Sequence, residues 1–280
     1  MPSKNASFGY DQDFVQAISL FSGKYNIIVK LTKGNKMDWI INVISLCFII
    51  YAVVIVKKSK TSLRFYLKVS FNEYTSQDII VGFFIGLFAM VGIYCVELNL
   101  NYIKIQNINL VDGKFVNAFF TLLVMAFAEE LLFRGFMLTG LIRILKKKYI
   151  AVIITAVLFG LAHASNPNAT PISVISNGLG GVMYSIAFIE SESIWLPFAL
   201  HFSWNFFQGP VFGFPVSGLS FGGIVQQSFV VGKNSFTGGG YGPEGGMIGI
   251  SFRIAVIIML LLYYKFNIKK RTNLIPISDE

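Results

Sequence analysis

The chain has 280 residues, 54% of them hydrophobic and 13% charged, with a formal net charge of +9. Soluble domains carry about 25% charged residues, so a pair of soluble domains is excluded. The fold class is all-α, a polytopic membrane helix bundle of about seven transmembrane helices, and the basic clusters at the ends of apolar runs point away from nucleic acid.

The first thirty-odd residues are too polar to supply the apolar core of a secretory signal peptide. Phe14 to Leu31 is of mixed polarity, with Lys24 inside it, and reads as an interfacial amphipathic helix. The chain therefore divides into an N-terminal segment, 1–36, and a membrane domain, 37–280. A membrane helix needs about 20 mostly apolar residues. The candidate spans are Trp39 to Val56, Ile79 to Val96, Phe115 to Ile144, Ile150 to His163, Ile172 to Ile189, Ile194 to Val211 and Met247 to Tyr264. The fourth is short and the sixth interrupted. An eighth is added if the N-terminal segment hides a span.

Basic clusters follow the first span (Lys57, Lys58, Lys60, Arg64, Lys68), the third (Arg143, Lys146, Lys147, Lys148) and the seventh (Lys265, Lys269, Lys270, Arg271). Placing them inside puts the C-terminus in the cytoplasm and the glycine-rich segment Ser217 to Gly246 outside. The fifth span departs from this pattern by ending in Glu190 and Glu192, and Lys24, Lys30, Lys33 and Lys36 would lie outside. Cys47 and Cys95 sit in apolar runs and read as small packing side chains. Gly240-Tyr-Gly242-Pro-Glu-Gly245 formally matches a dinucleotide fingerprint, but no strand precedes it and no βαβ unit surrounds it. Asn168-Ala-Thr170 is an uninformative glycosylation acceptor.

Charge inside an apolar run is expensive, and by default it marks a functional site. The third span carries "MAFAEELLFRG", residues 125 to 135. On a helix Glu130 and Arg134 share a face, so the arginine can neutralise that carboxylate. Glu129 lies about 100° around the helix and is left for other work. An intramembrane salt bridge without chemistry is the plain alternative. The two histidines of the chain both fall in apolar spans: His163 ends "FGLAH", and His201 stands in "LPFALHFSWNFF" with Asn205 one turn later. A single membrane histidine is more often a helix–helix hydrogen-bonding residue. Two at compatible depths beside an unpaired glutamate favour acid–base chemistry.

Glu129-Glu130-x-x-x-Arg134, Phe159-x-x-x-His163 and His201-x-x-x-Asn205, in this order, resemble the motif set of the CAAX protease and bacteriocin-processing family, also called Abi, of intramembrane glutamic endopeptidases. The resemblance extends over about residues 79 to 264. It implies a helix bundle around a water-accessible intramembrane cavity. In it Glu129 acts as general base on water, His163 orients that water, and His201 with Asn205 stabilises the oxyanion. Glu130 and Arg134 hold the base in place, Phe159 packs, and Gly180 and Gly181 allow close helix approach.

The expected partners are the bilayer and a peptide or small-protein substrate, with no nucleic acid, no cofactor and no metal. The expected location is a bacterial cell membrane. Three alternatives stand beside this reading. A zinc-dependent hydrolase would use the histidines and glutamate as ligands, although no H-E-x-x-H arrangement occurs. A non-catalytic immunity or peptide-binding membrane protein would keep the motif without turnover. A proton-coupled transporter would need paired interrupted spans, which the sequence lacks.

Overall fold

The computed structural model describes residues 36–265. The segment read as an interfacial helix and the basic residues beyond Lys265 lie outside the described residues. The long helices stand where the apolar runs place them: α1 (Lys36–Ser59), α2 (Thr75–Asn99), α3 (Gly113–Leu145), α4 (Lys148–Ala162), α5 (Pro171–Ser191), α6 (Trp195–Phe206) and α7 (Met247–Tyr263). Among the described residues, α1, α2, α3 and α5 are long and apolar enough to cross a membrane, while α4 and α7 are shorter apolar helices. Trp39, Ile50, Phe88, Phe120 and Ile153 point out of the bundle, the arrangement a lipid-facing surface requires. Cys47 and Cys95 are exposed and unbridged.

Three local features set the depth of the site. First, α3 is interrupted by a π-helical stretch, Leu131–Leu138, directly after Glu130, and such widened turns often accompany functional residues. Thr139 Oγ1 donates to the Arg134 carbonyl five residues back, 3.0 Å away. Second, α4 is only 15 residues long, about 22 Å, and therefore ends short of a hydrocarbon layer of about 30 Å. His163 is the residue on which it stops. Third, the chain re-enters at once: Thr170 Oγ1 accepts from Ser173 N, Ser173 Oγ accepts from Thr170 N, and Pro171 takes the first helical position. This capping box starts α5 beside the end of α4. A Cβ on Gly181 would come within 2.9 Å of the Ala156 Cα, so glycine is what lets α5 lie against α4.

A small antiparallel sheet caps the end of the bundle away from the basic clusters. It pairs β1 (Ile103–Ile108) with β2 (Val225–Phe229), running from Ile103 opposite Phe229 to Ile108 opposite Val225, with a bulge between Ile105 and Asn107. This sheet adds a β element to the all-α reading. The glycine-rich segment is a folded cover rather than an open loop. Phe214, Val216 and Tyr241 are buried, and Asn166 and Asn168 donate to the carbonyls of Ser217 and Gly240.

Candidate active site

The sequence-predicted residues converge. Glu130 and Arg134 are fully buried and paired, with Arg134 NH1 3.1 Å from Glu130 Oε1. Arg134 NH2 donates to the Gly181 carbonyl at 3.1 Å. Its guanidinium lies 4.6 Å from the Phe159 ring centre and 5.2 Å from that of Tyr184, a desolvated cation–π arrangement. Phe159 is thus a packing residue for the arginine as well as for the core.

Glu130 has a second partner that the spacing of residues did not reveal. His201 Nδ1 is 2.7 Å from the same Oε1. A carboxylate only accepts, so Nδ1 carries the hydrogen. The same logic fixes His163, whose Nδ1 is 2.8 Å from the Phe159 carbonyl. Both imidazoles therefore spend Nδ1 on a structural acceptor and leave Nε2 for the site. Tyr184 stacks on His201 with ring centres 4.5 Å apart, which holds the ring plane.

Both Nε2 atoms point at Glu129. Its Oε2 is 3.9 Å from His163 Nε2 and 4.0 Å from His201 Nε2. Oε2 is shut against the imidazoles, with no hydrogen bond among the described residues. The side chain as a whole is 29% exposed, against 0% for Glu130. Of the two glutamates only Glu129 can meet water or substrate. Asn205, one turn beyond His201 on α6, is also part of the cavity wall.

The cavity these groups share has a volume of about 240 Å³. Its far wall holds residues that the sequence reading missed: Asn177, Ser217, Glu244 and Arg253. Arg253 is buried on α7 and donates from NH1 to Ser176 Oγ at 2.7 Å, and from NH2 to Asn177 Oδ1 at 3.1 Å and Glu244 Oε1 at 3.3 Å. Glu244 Oε2 accepts from the Ser217 backbone N–H and hydroxyl at 2.6 and 2.7 Å. Asn177 donates to the Tyr241 hydroxyl; burial, and then the nearby Glu244, raise the Tyr241 pKa and keep that phenol neutral. Arg253 did carry a sequence signal, a lone cation in the apolar run "MIGISFRIAVIIML". Ile41 and Asn42 of α1 complete the wall, so a helix outside the resembling stretch helps enclose the site.

Residues 112–207 match the family model described as Type II CAAX prenyl endopeptidase Rce1-like. This segment is Rce1-like. The match contains Glu129, Glu130, Arg134, His163, His201 and Asn205, and thus all three motifs on which the resemblance rested. It stops before Glu244 and Arg253, and it is shorter than the 79–264 stretch expected from the sequence. The model describes a family of CAAX prenyl endopeptidases, and the long apolar helices of the chain fit an integral membrane protein. No curated protein and no solved structure significantly matches the chain.

Proposed function

We propose that this chain is an intramembrane endopeptidase that cleaves a peptide bond with water activated by Glu129. The observation that carries the reading is the convergence of the two Nε2 atoms on one glutamate oxygen. Spacings of 3.9 and 4.0 Å are too long for direct hydrogen bonds. They leave both nitrogens facing the carboxylate, whose open oxygen lines the cavity and can meet a water there. Ligand atoms on a tetrahedral zinc at about 2.0–2.1 Å would stand about 3.4 Å apart. The groups found stand wider than that, so binding a zinc ion would have to draw them together.

In the proposed reaction Glu129 takes a proton from the water, whose oxygen bonds to the peptide carbonyl carbon. His163 Nε2 orients that water. Charge develops on the carbonyl oxygen and is met by the Asn205 amide and by His201, protonated at Nε2, with Glu130 as the counter-charge behind it. Collapse breaks the C–N bond, and Glu129 returns its proton to the departing amine. A half-turn of the two-fold symmetric carboxylate exchanges its enclosed and open oxygens, so either can serve as base.

We further propose seven spans with the basic end cytoplasmic, which leaves the sheet and its glycine-rich cover on the opposite side. The substrate is a peptide or small protein presented at the membrane; the family description makes a prenylated C-terminal segment the first class to try. The test is a detergent-purified chain incubated with a peptide pool and with a prenylated CAAX peptide. Cleavage by the wild type and none by Glu129→Gln at equal folding is the expected result. Equal cleavage by both would pass the protein to the non-catalytic peptide-binding reading.

A further inference from the structure

The small sheet has two unlike faces. Residues opposite one another in a ladder share a face, so Ile103, Ile105 and Ile108 lie on one side with Phe229, Gln227 and Val225. Lys104 and Asn107 lie on the other side with Ser228 and Gln226. Gln106 is the bulged residue, and its amide donates to Ser228 Oγ at 2.8 Å, which places it on the polar side as well. In an unbroken strand Ile108 would alternate onto the side of Lys104. The extra residue of the bulge returns it to the side of Ile103 and Ile105. One face is thus apolar apart from Gln227, and the other carries a lysine, amides and a hydroxyl.

One end of the apolar face shows which way it looks. Ile103 is buried, and the Phe229 ring centre lies 6.1 Å from that of the buried Phe214, so this end packs down on the helix bundle. Along β1 the cover runs out: exposure rises from 1% at Ile103 to 45% at Ile105 and 68% at Ile108. The face therefore continues past the edge of the bundle, still turned the same way. Both ends of β1 are tied to helices. After α2 the chain turns at once, with Tyr102 N donating to the Glu97 carbonyl at 2.8 Å. On the other side only Asn109 to Asp112 separate β1 from α3, whose first turn the Asp112 side chain caps. The helix ends that hold the strand carry outward apolar residues of their own, Val96 and Leu100 after α2 and Val116 and Phe120 on α3.

We propose that the overhanging part of this face rests on the bilayer, with Ile105 and Ile108 at the boundary between headgroups and acyl chains. Lipid is the occupant because the uncovered face continues the outward apolar surface of the two helices that hold it, and it is turned toward the layer they cross. A two-faced element that does not span lies in the interface plane with its polar side to water. The backbone sets its depth. Among the described residues β1 pairs along one edge only, and free N–H and C=O groups do not enter hydrocarbon, so the strand stops where water and headgroups still reach them. Its partner β2 belongs to the glycine-rich segment that covers the cavity. Contact of β1 with lipid therefore fixes the height of that cover through the ladder.

The test uses the full chain with Cys47→Ala and Cys95→Ala, to which Ile108→Cys, Ile105→Cys or Lys104→Cys adds one labelling site. Each variant carries an environment-sensitive fluorophore there and is reconstituted into phosphatidylcholine vesicles. The labels replacing Ile105 and Ile108 should emit to the blue of the label replacing Lys104. They should be quenched more strongly by a lipid nitroxide near the headgroup than by one near the chain terminus. The label replacing Lys104 should respond mainly to a water-soluble quencher. Equal quenching by lipid on the two faces would overturn the proposal, as would an Ile108→Cys label reached by the water-soluble quencher rather than by lipid. Shielding from both quenchers would also overturn it, and shielding that fades as the protein is diluted in lipid would put a second copy of the chain in the place of lipid. Ile105→Cys reads the same face should Ile108→Cys impair folding. None of these readouts requires cleavage, so they stand whether or not the chain is an endopeptidase.

Discussion

Two buried glutamate–arginine pairs flank the same small cavity, and they are built in different ways. Glu130 and Arg134 sit one turn apart on a single helix, and the glutamate reaches onward to His201. Glu244 and Arg253 join a glycine-rich cover to a helix, and that glutamate reaches onward to Ser217, also in the cover. The first pair ends on an imidazole whose other nitrogen faces Glu129. The second ends on backbone and hydroxyl groups of the segment that closes the cavity. Burying an ion pair seldom adds net stability, but breaking one is costly. The difference therefore lies in what each pair holds still: the His201 ring in one case, a cover in the other.

The largest expected effect lies between the pairs. Glu129→Gln removes the proposed base while leaving both pairs intact, so peptide cleavage should vanish with an unchanged melting temperature. Glu130→Gln comes next. Removing the carboxylate that orients a catalytic histidine costs about 10⁴-fold in serine proteases, and a loss of about 10³- to 10⁴-fold in kcat is expected here. Asn205→Ala should cost about 10²- to 10³-fold, the usual effect of deleting one oxyanion donor, with KM little changed. Glu244→Gln should reverse the pattern. It strands the Arg253 guanidinium, so a stability loss of about 3 to 5 kcal/mol is expected, with less than a tenfold fall in kcat for the protein that remains folded. If Glu244→Gln instead matched Glu130→Gln in rate, the two pairs would be equivalent and the comparison would fail. The smallest expected effect is none: a strong chelator should leave kcat unchanged, and a loss restored by zinc would revive the metallohydrolase alternative.

The same contrast explains what could be read in advance. The Glu130–Arg134 pair was legible because four-residue spacing on a helix is itself a contact rule. Two histidines at compatible depths in apolar spans then pointed to the side chains that face Glu129. The Glu130–His201 hydrogen bond joins residues 71 apart and depends on how two helices are rotated, which periodicity does not encode. Arg253 stands out in its apolar run as Arg134 does, yet no acid lies three or four residues away. Its partner is nine residues back in the glycine-rich segment, where no helical period predicts a contact. The strands were hidden for a related reason. "IKIQNI" begins with alternation, but a bulge next to Gln106 breaks the period, and its partner strand lies more than a hundred residues on.

The π-helical stretch after Glu130 has a consequence for what the chain can lose. A turn closed between residues five apart accommodates about one residue more than the regular ladder, so the helix before Leu131 and the helix after Leu138 are out of phase with an uninterrupted α-helix. Side-chain substitutions in that stretch leave the phase alone. Removing a single residue there lets the regular ladder close with the two halves of α3 facing as before, whereas removing one from the regular turns on either side rotates one half by about 100° against the other. Only the second kind of deletion would set Glu129 out of register with half of its own helix, so the alignment of this site depends on where a residue is lost as much as on which residue it is.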